Sequence, residues 1–127
     1  MISIAKSSVD DFLDEAWKLS KPHPFDRRIR LFGMIGVEMS KFDGMVHLSD
    51  IRNFGKPRQG GATSVLKKLT TLADKHKVKI DGVAKVYDQR DGHMSTTKEL
   101  VKWYRKSGFK IFSGSEEDGY RIEYSPK

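Results

Sequence analysis

The sequence predicts a mixed α/β fold, in which a mostly antiparallel sheet contains one central, parallel β-α-β unit. Residues 45–54 form a strand-like segment, MVHLSDIRNF. A glycine turn at Gly60 and Gly61 then opens into an amphipathic helix, and a second strand-like segment, VKIDGVAKVY, follows at 78–87. Since strand, helix and strand fit within about 40 residues, we expect the two strands to be parallel, with a right-handed crossover.

Length and composition favour a single domain over the 127 residues, with a globular rather than a disordered chain. Hydrophobic residues make up 37% and charged residues 32%. No apolar run approaches the roughly 20 residues that span a bilayer, and no signal-peptide pattern is present. We therefore expect a cytoplasmic protein with no membrane contact. The absence of cysteine excludes disulfides, thiolate metal ligands and a cysteine nucleophile.

The net charge of +7 favours a polyanionic partner, either nucleic acid or a cofactor rich in phosphate. The positive charge is spread over most of the chain, apart from an acidic cluster at 116–118. A diffuse excess of this kind is more typical of a soluble surface than of a nucleic-acid stripe. Nucleic acid is therefore a possible partner but not the favoured one.

The first half of the chain predicts one helix followed by antiparallel strands. Residues 7–19 place apolar side chains on one helical face, with Ser7 or Ser8 as the cap. The prolines at 22 and 24 end this helix. Residues 28–39 alternate loosely and predict one or two strands, bent at Gly33 or Gly36. The Asp-Gly pair at 43–44 predicts a hairpin turn into the strand at 45–54.

The second half predicts the central helix at 62–76, another strand, a helix and a closing hairpin. Apolar residues of the central helix recur at helical spacing. The strand at 78–87 is expected to be strongest from Val83 onward. Thr96 and Glu99 predict a capping box for the next helix, and Gly108 its C-terminal end. Strands at 109–112 and 120–124 then form the hairpin.

The start of the central helix is a candidate phosphate site. A helix N-terminus bares backbone N–H donors and favours negative charge. The two glycines, Gly60 and Gly61, lack a Cβ and allow close approach. Backbone N–H groups from 59 to 64 are expected to hold a pyrophosphate, with added positive charge from Arg58 and Lys56. The residues concerned are Arg58, Gln59, Gly60, Gly61, Ala62, Thr63 and Ser64.

This segment resembles the cofactor motif of the GCN5-related N-acetyltransferases (GNAT). That motif reads Gln or Arg, two residues, Gly, one residue, then Gly or Ala. Arg58 to Gly61 fits the first four positions, and Thr63 departs from the last. The passage Tyr104-x-x-x-Gly108-Phe109 resembles the family's helix-to-strand passage, although Thr97 stands where the family often has asparagine. The resemblance covers about two thirds of the chain and implies acetyl-coenzyme A as co-substrate.

The resemblance also implies functional residues. In the family, the strand before the loop pairs with the pantetheine arm, which by position implies the backbone of Asn53, Phe54 and Gly55. The family commonly uses a tyrosine at the position of Tyr104 to protonate the leaving thiolate. His47 is the candidate general base, because a histidine accepts a proton near neutrality.

The assignment of the base leaves alternatives open. Asp50 and Glu38 are rivals to the histidine, and ordered water serves instead in many members of the family. Strand alternation predicts that His47, Ser49 and Ile51 share one face while Asp50 takes the other.

Other chemistries have little support. The four histidines show no paired metal-ligand spacing, so no metal is expected. The DQRD loop at 88–91 lacks the full calcium-loop pattern, and no Walker lysine follows the glycines. The favoured hypothesis is direct acetyl transfer to a primary amine of a small molecule or a protein. The alternative is a non-catalytic, basic binding module of the same fold. The acceptor amine and the oligomeric state are open.

Overall fold

A computed structural model describes residues 7–55, 61–85 and 96–127 of the chain. Within these ranges the elements are three helices and seven strands, so the fold is mixed α/β. The helices are α1 (Ser8–Lys18), α2 (Gly61–His76) and α3 (Thr97–Lys106). The strands are β1 (Lys21–Pro22), β2 (Ile29–Phe32), β3 (Ile35–Phe42), β4 (Met45–Asn53), β5 (Ile80–Ala84), β6 (Lys110–Ser115) and β7 (Gly119–Tyr124). No helix in these ranges is long and apolar enough to cross a membrane.

The strands form one sheet in the order β1-β2-β3-β4-β5-β7-β6. The β4–β5 pair is parallel, and the other neighbouring pairs are antiparallel. This arrangement confirms the predicted mixed sheet with a parallel unit around α2. The predicted hairpin turn is also present, because Asp43 and Gly44 both have positive φ angles, 53° and 73°.

Local signals set the ends of two helices as predicted. The Ser7 side chain accepts a hydrogen bond from the Asp10 amide at 3.2 Å and caps α1. The Thr96 side chain accepts from the Glu99 amide at 3.1 Å and caps α3. Such side chains satisfy one of the unpaired amides that every helix start carries.

Two expectations about strands need correction. Within the described residues, the strand predicted at 78–87 does not have its strongest part from Val83 onward, because β5 begins at Ile80 and ends at Ala84. Residues 86–87 of that prediction lie outside the described residues. The inner residue Gly82 of β5 allows the strand to lie against β4, where an added Cβ would approach the Leu48 carbonyl oxygen at 2.6 Å. The short edge strand β1 is an addition to the prediction, because the prolines of this segment indicate only the end of a helix, whereas Lys21–Pro22 pairs with β2.

The hydrophobic core lies on one face of the sheet. Paired residues of adjacent strands share a face, and the buried ones lie on the same side. They are Val37, Met39, Val46, Leu48, Ile80, Ile122 and Tyr124. Helix α2 packs against β3, β4 and α1, and α3 packs against β5, β6 and β7, in one continuous cluster. The opposite face carries a polar row across five strands: Ser40, His47, Asp81, Glu123 and Lys110.

A polar contact joins the last strand to α2. The Asp74 carboxylate accepts hydrogen bonds from the Lys127 amide at 2.8 Å and from the Tyr124 hydroxyl at 2.7 Å. These two bonds, that of Lys127 foremost, hold the pKa of Asp74 below its usual value of 3.8. Burial and the neighbouring carboxylate raise the pKa of Tyr124 to about 12. The C-terminal strand is therefore attached to the central helix by a charged hydrogen bond.

A β-bulge interrupts β4 near its middle. Across the β3–β4 pair, Met39 lies opposite Leu48, and Glu38 lies opposite Asp50. Ser49 therefore has no partner of its own on β3. An extra residue of this kind reverses the alternation of side chains beyond it.

The bulge overturns the prediction about which side chains share a face. Ser40 lies opposite His47, and Glu38, two residues earlier on the same strand, lies opposite Asp50. His47 and Asp50 therefore share the polar face, while Ile51 joins Leu48 on the core face. Simple alternation had assigned Ile51 to the side of His47 and Asp50 to the other.

Strands β4 and β5 diverge soon after they meet. Their pairing runs from Val46–Ile80 to Leu48–Gly82. Beyond that point β4 continues to Asn53 and stays paired with β3, while β5 continues to Ala84 and stays paired with β7. Within the described residues, the β5-facing edge of 49–53 has no strand beside it. A gap in the sheet thus opens toward the start of α2.

Candidate active site

Helix α2 begins at Gly61, at the open end of this gap. Its first turn contains no acidic residue, and its last turn carries Lys75 and His76. Thr63 and Ser64 are exposed. Within the described residues, the first turn of α2 itself therefore carries no negative side chain that would compete with a bound anion for the helix dipole.

A cavity of about 430 Å³ lies beside this first turn. It brings together four of the predicted cofactor residues: Asn53, Gly55, Gly61 and Ser64. The turn between β2 and β3 and residues Val65 and Lys68 complete its wall. Lys68 was not predicted for the site, although its position one helical turn after Ser64 places it on the same face.

The predicted residues just before the glycine turn lie outside the described residues. They are Lys56, Arg58, Gln59 and Gly60. The DQRD loop at 88–91 lies outside them as well.

Hydrogen bonds fix the end of β4. The Asn53 side-chain oxygen accepts from the Gly55 amide at 2.8 Å, and the Phe54 amide donates to the Met34 carbonyl at 2.9 Å. The centroid of the Phe54 ring lies 5.3 Å from that of the His23 ring. The Phe54 ring also covers Gly36, since a Cβ added to this glycine would be 2.5 Å from the ring. The amides of Phe54 and Gly55 thus both donate hydrogen bonds within the chain.

Thr63 faces α3 rather than the cavity. Its hydroxyl accepts a hydrogen bond from the Trp103 indole N–H at 2.8 Å. A hydroxyl that accepts one bond can still donate its own proton. Thr63, which departs from the family motif, therefore links α2 to α3. The sequence contains no local sign of this contact except that a tryptophan stands next to Tyr104.

Tyr104 is buried, with only 5% of its surface exposed. Its ring packs against Phe109 at 5.2 Å and against Trp103 at 4.9 Å between centroids. Burial raises the pKa of the hydroxyl above its usual value of 10, and the negative charge of Asp50 raises it further. The hydroxyl therefore keeps its proton at neutral pH, and its raised pKa also makes it a weaker acid than a solvent-exposed tyrosine.

His47 lies on the polar face and is paired with a carboxylate from β5. Its Nδ1 lies 3.1 Å from Oδ1 of Asp81. The two residues are direct partners in the parallel pairing, one position before the last pair. The rival bases lie on the same face: Asp50 has Arg52 at 3.4 Å, and Glu38 lies opposite it on β3.

The structure thus divides the predicted residues into three groups. Four line the cavity at α2, Tyr104 lies in the core near Asp50, and His47 lies on the polar face with Asp81. No group of three histidine or acidic side chains suited to a metal occurs within 7–55, 61–85 and 96–127. Within the described residues, the cavity at α2 therefore joins four of the predicted cofactor residues and includes neither Tyr104 nor His47.

Comparisons with known proteins give a fold but no close relative. No family model matches the chain, and no curated protein matches it significantly. Among solved structures, a putative acetyltransferase of the GNAT family from Bacteroides thetaiotaomicron superposes with a TM-score of 0.52 at 12% identity. That match covers 92% of this chain and 78% of the other.

A second solved structure, the anti-CRISPR protein AcrVA5, superposes with a TM-score of 0.56 at 19% identity. The match covers 72% of this chain and 90% of the other. Likeness at such low identity shows architecture and does not fix a reaction. Together with the sheet order, the single parallel pair and the gap beside α2, it shows that this chain has a GNAT-like fold.

Proposed function

We propose that the protein is an N-acetyltransferase that moves the acetyl group of acetyl-coenzyme A directly to a primary amine. One observation carries the proposal. The acid-free first turn of α2 borders a cavity of about 430 Å³, which is also lined by Asn53 and Gly55 at the end of β4, beyond the pairing of that strand with β5. A diphosphate suits the helix start, and an extended chain suits an unpaired strand edge.

The residues around the cavity fit a phosphate-bearing ligand. Gly61 lies so close to Ile35 that an added Cβ would stand 3.3 Å from its Cδ1, so the backbone itself forms the wall. Ser64 offers a hydroxyl, and Lys68 a positive charge. A charge-assisted hydrogen bond contributes roughly 1.5–3 kcal/mol. These groups would hold the diphosphate, and the backbone at Asn53 and Gly55 would line its continuation.

The remaining groups fit the two proton transfers of amide formation. Acetyl-coenzyme A supplies a thioester, whose carbonyl carbon bonds to nitrogen while the bond to sulfur breaks and sulfur leaves with the electron pair. The acceptor ammonium must first lose a proton, and His47 is the residue that we propose takes it. Tyr104, which stays protonated, is the group that would give a proton to the departing sulfur. No covalent intermediate on the protein is required.

Thermal unfolding with coenzyme A tests the proposal. A ligand at a hundred times its Kd stabilises the folded chain by about 2.7 kcal/mol. Acetyl transfer is then measured as released thiol over a panel of small amines and peptides. Tyr104→Phe is expected to lower kcat more than cofactor affinity, whereas Tyr120→Phe, a tyrosine on β7, serves as the matched control.

Two results would contradict the proposal or part of it. Equal turnover by Tyr104→Phe and the native chain would remove this tyrosine from the mechanism. Absence of any thermal shift, together with DNA binding that weakens steeply with salt, would instead favour the basic binding module suggested by the net charge of +7.

A further inference from the structure

The polar face of the sheet carries an isolated histidine–carboxylate pair at the point where β4 and β5 separate. His47 and Asp81 are opposite each other on the parallel strands. The next pair, Leu48–Gly82, is the last one before the gap. The imidazole therefore lies within one residue of the opening, on the face that the helices do not cover.

The two side chains of the pair differ in their exposure to solvent. The Asp81 side chain is 15% exposed and the His47 side chain 35% exposed. The imidazole Nδ1 is 3.1 Å from the carboxylate, whereas Nε2 has no hydrogen-bond partner among the described residues. A carboxylate that holds one ring nitrogen fixes the tautomer and leaves the other nitrogen to accept a proton.

The residues next to the pair on the polar face are Ser40 and Glu123. Ser40 of β3 flanks His47 on one side. On the other side, Glu123 of β7 lies opposite Asp81 but has its own partners, Lys79 at 3.5 Å and Arg121 at 3.7 Å. The negative charge of Glu123 is thus matched locally, and Asp81 is the carboxylate that lies within hydrogen-bond distance of the imidazole among the described residues.

We propose that Asp81 is a positioning residue that holds His47 as the general base, and that the acceptor amine approaches from the polar face, opposite the helices. This inference rests on the proposed acetyl transfer. It adds the side from which the acceptor amine approaches, and it adds Asp81 as the residue that positions the base. One proton passes from the acceptor ammonium to Nε2 of His47. The resulting imidazolium is stabilised by the carboxylate of Asp81, and the half-exposed ring then releases the proton to solvent.

Kinetics of four variants test the coupling between the two residues. We expect His47→Gln to lower kcat by roughly 100-fold, as for loss of a general base. We expect Asp81→Ala to lower it by roughly 10- to 100-fold, as for loss of an orienting carboxylate. In the double variant, Asp81→Ala should add less than about twofold, because residues that act as one unit are not additive. Glu123→Gln removes a carboxylate from the same row without touching His47 and should leave kcat within about twofold.

Nitrogen NMR of the histidine ring gives a readout that does not depend on turnover. In the native chain above neutral pH, we expect the proton on Nδ1 of His47 and the lone pair on Nε2. Asp81→Ala should move the ring toward the Nε2–H tautomer, while Glu123→Gln should leave it unchanged. A purely structural role for Asp81 predicts no such selective change.

The outcomes separate this inference from the proposed function. If coenzyme A gives no thermal shift, acetyl transfer and this inference both fail. Two results would overturn the inference alone, in a native chain that binds coenzyme A and turns over. One is a kcat of Asp81→Ala equal to that of the native chain. The other is a double variant whose kcat is tenfold lower than that of His47→Gln. A native ring protonated on Nε2 overturns the inference as well.

Discussion

A single charge at the start of α2 should have opposite effects on stability and on ligand binding. Ser64 lies in the first turn of the helix, is exposed and lines the cavity. No acidic residue occupies this turn in the native chain. Ser64→Asp therefore places a carboxylate where the helix dipole favours it, in the space proposed for a diphosphate.

The two effects can be estimated separately. An acidic residue in the first turn stabilises a helix by about 0.3–1 kcal/mol, which for a chain of this size raises the Tm by roughly 1–5 °C. A carboxylate about 5 Å from one phosphate charge costs about 1–3 kcal/mol at an effective dielectric between 20 and 80. Coenzyme A should therefore bind roughly 5- to 150-fold more weakly.

The assay compares Ser64→Asp with Ser64→Asn, which has nearly the same shape but no charge. The Tm of each free chain is measured by scanning calorimetry, and coenzyme A affinity by titration calorimetry at low salt. We expect the aspartate variant alone to gain stability and lose affinity. If it gains stability but binds coenzyme A as tightly as the asparagine variant, the diphosphate does not bind at this helix start and the reasoning is refuted.

Three further changes test the packing that forms the site. Gly82→Ala should reduce the free energy of unfolding, measured in urea, by about 1–3 kcal/mol, because its Cβ would meet the backbone of β4. The control is Val83→Ala, at a side chain that is 44% exposed in the native chain, and it should change the free energy of unfolding by less than about 0.5 kcal/mol. Because folding lowers the pKa of Asp74, its charge stabilises the native chain at pH values above the usual pKa of 3.8. The native chain should therefore have a larger free energy of unfolding than Asp74→Asn near pH 7, and the difference should vanish as pH falls through the lowered pKa. Urea unfolding from pH 7 to pH 3 measures this difference. Trp103→Phe and Thr63→Val should show a coupling energy of about 0.5–1.5 kcal/mol in a double-mutant cycle of unfolding, and purely additive effects would exclude a stabilising bond.

The parts of the fold that were predicted from sequence depend on local chemistry. Ser7 and Thr96 cap helices because their own oxygen reaches an amide three residues ahead. The turn at Asp43–Gly44 needs positive φ angles, which these residue types tolerate. The glycines before α2 similarly marked the start of the central helix. Each signal is contained within a few residues, so no tertiary information was needed.

The parts that were missed depend on partners distant in sequence. Nothing near Ser49 marks it as the extra residue of a bulge, because the bulge is defined by the pairing with β3. The hydrogen bond from Trp103 to Thr63 joins residues 40 positions apart. The edge strand β1 is a strand only because β2 lies beside it. Sequence therefore indicated the candidate residues but not which of them meet.

The short parallel pairing between β4 and β5 connects the proposed cofactor site with the proposed base. Its three residue pairs bring His47 to Asp81, and its end at Gly82 opens the gap toward α2. A longer pairing would keep the histidine contact but close the strand edge that a ligand needs. A shorter pairing would open the gap but separate the histidine from its carboxylate. In the proposed reaction, the length of this one pairing would therefore let the ligand on the helix side and the acceptor amine on the polar side meet through the sheet.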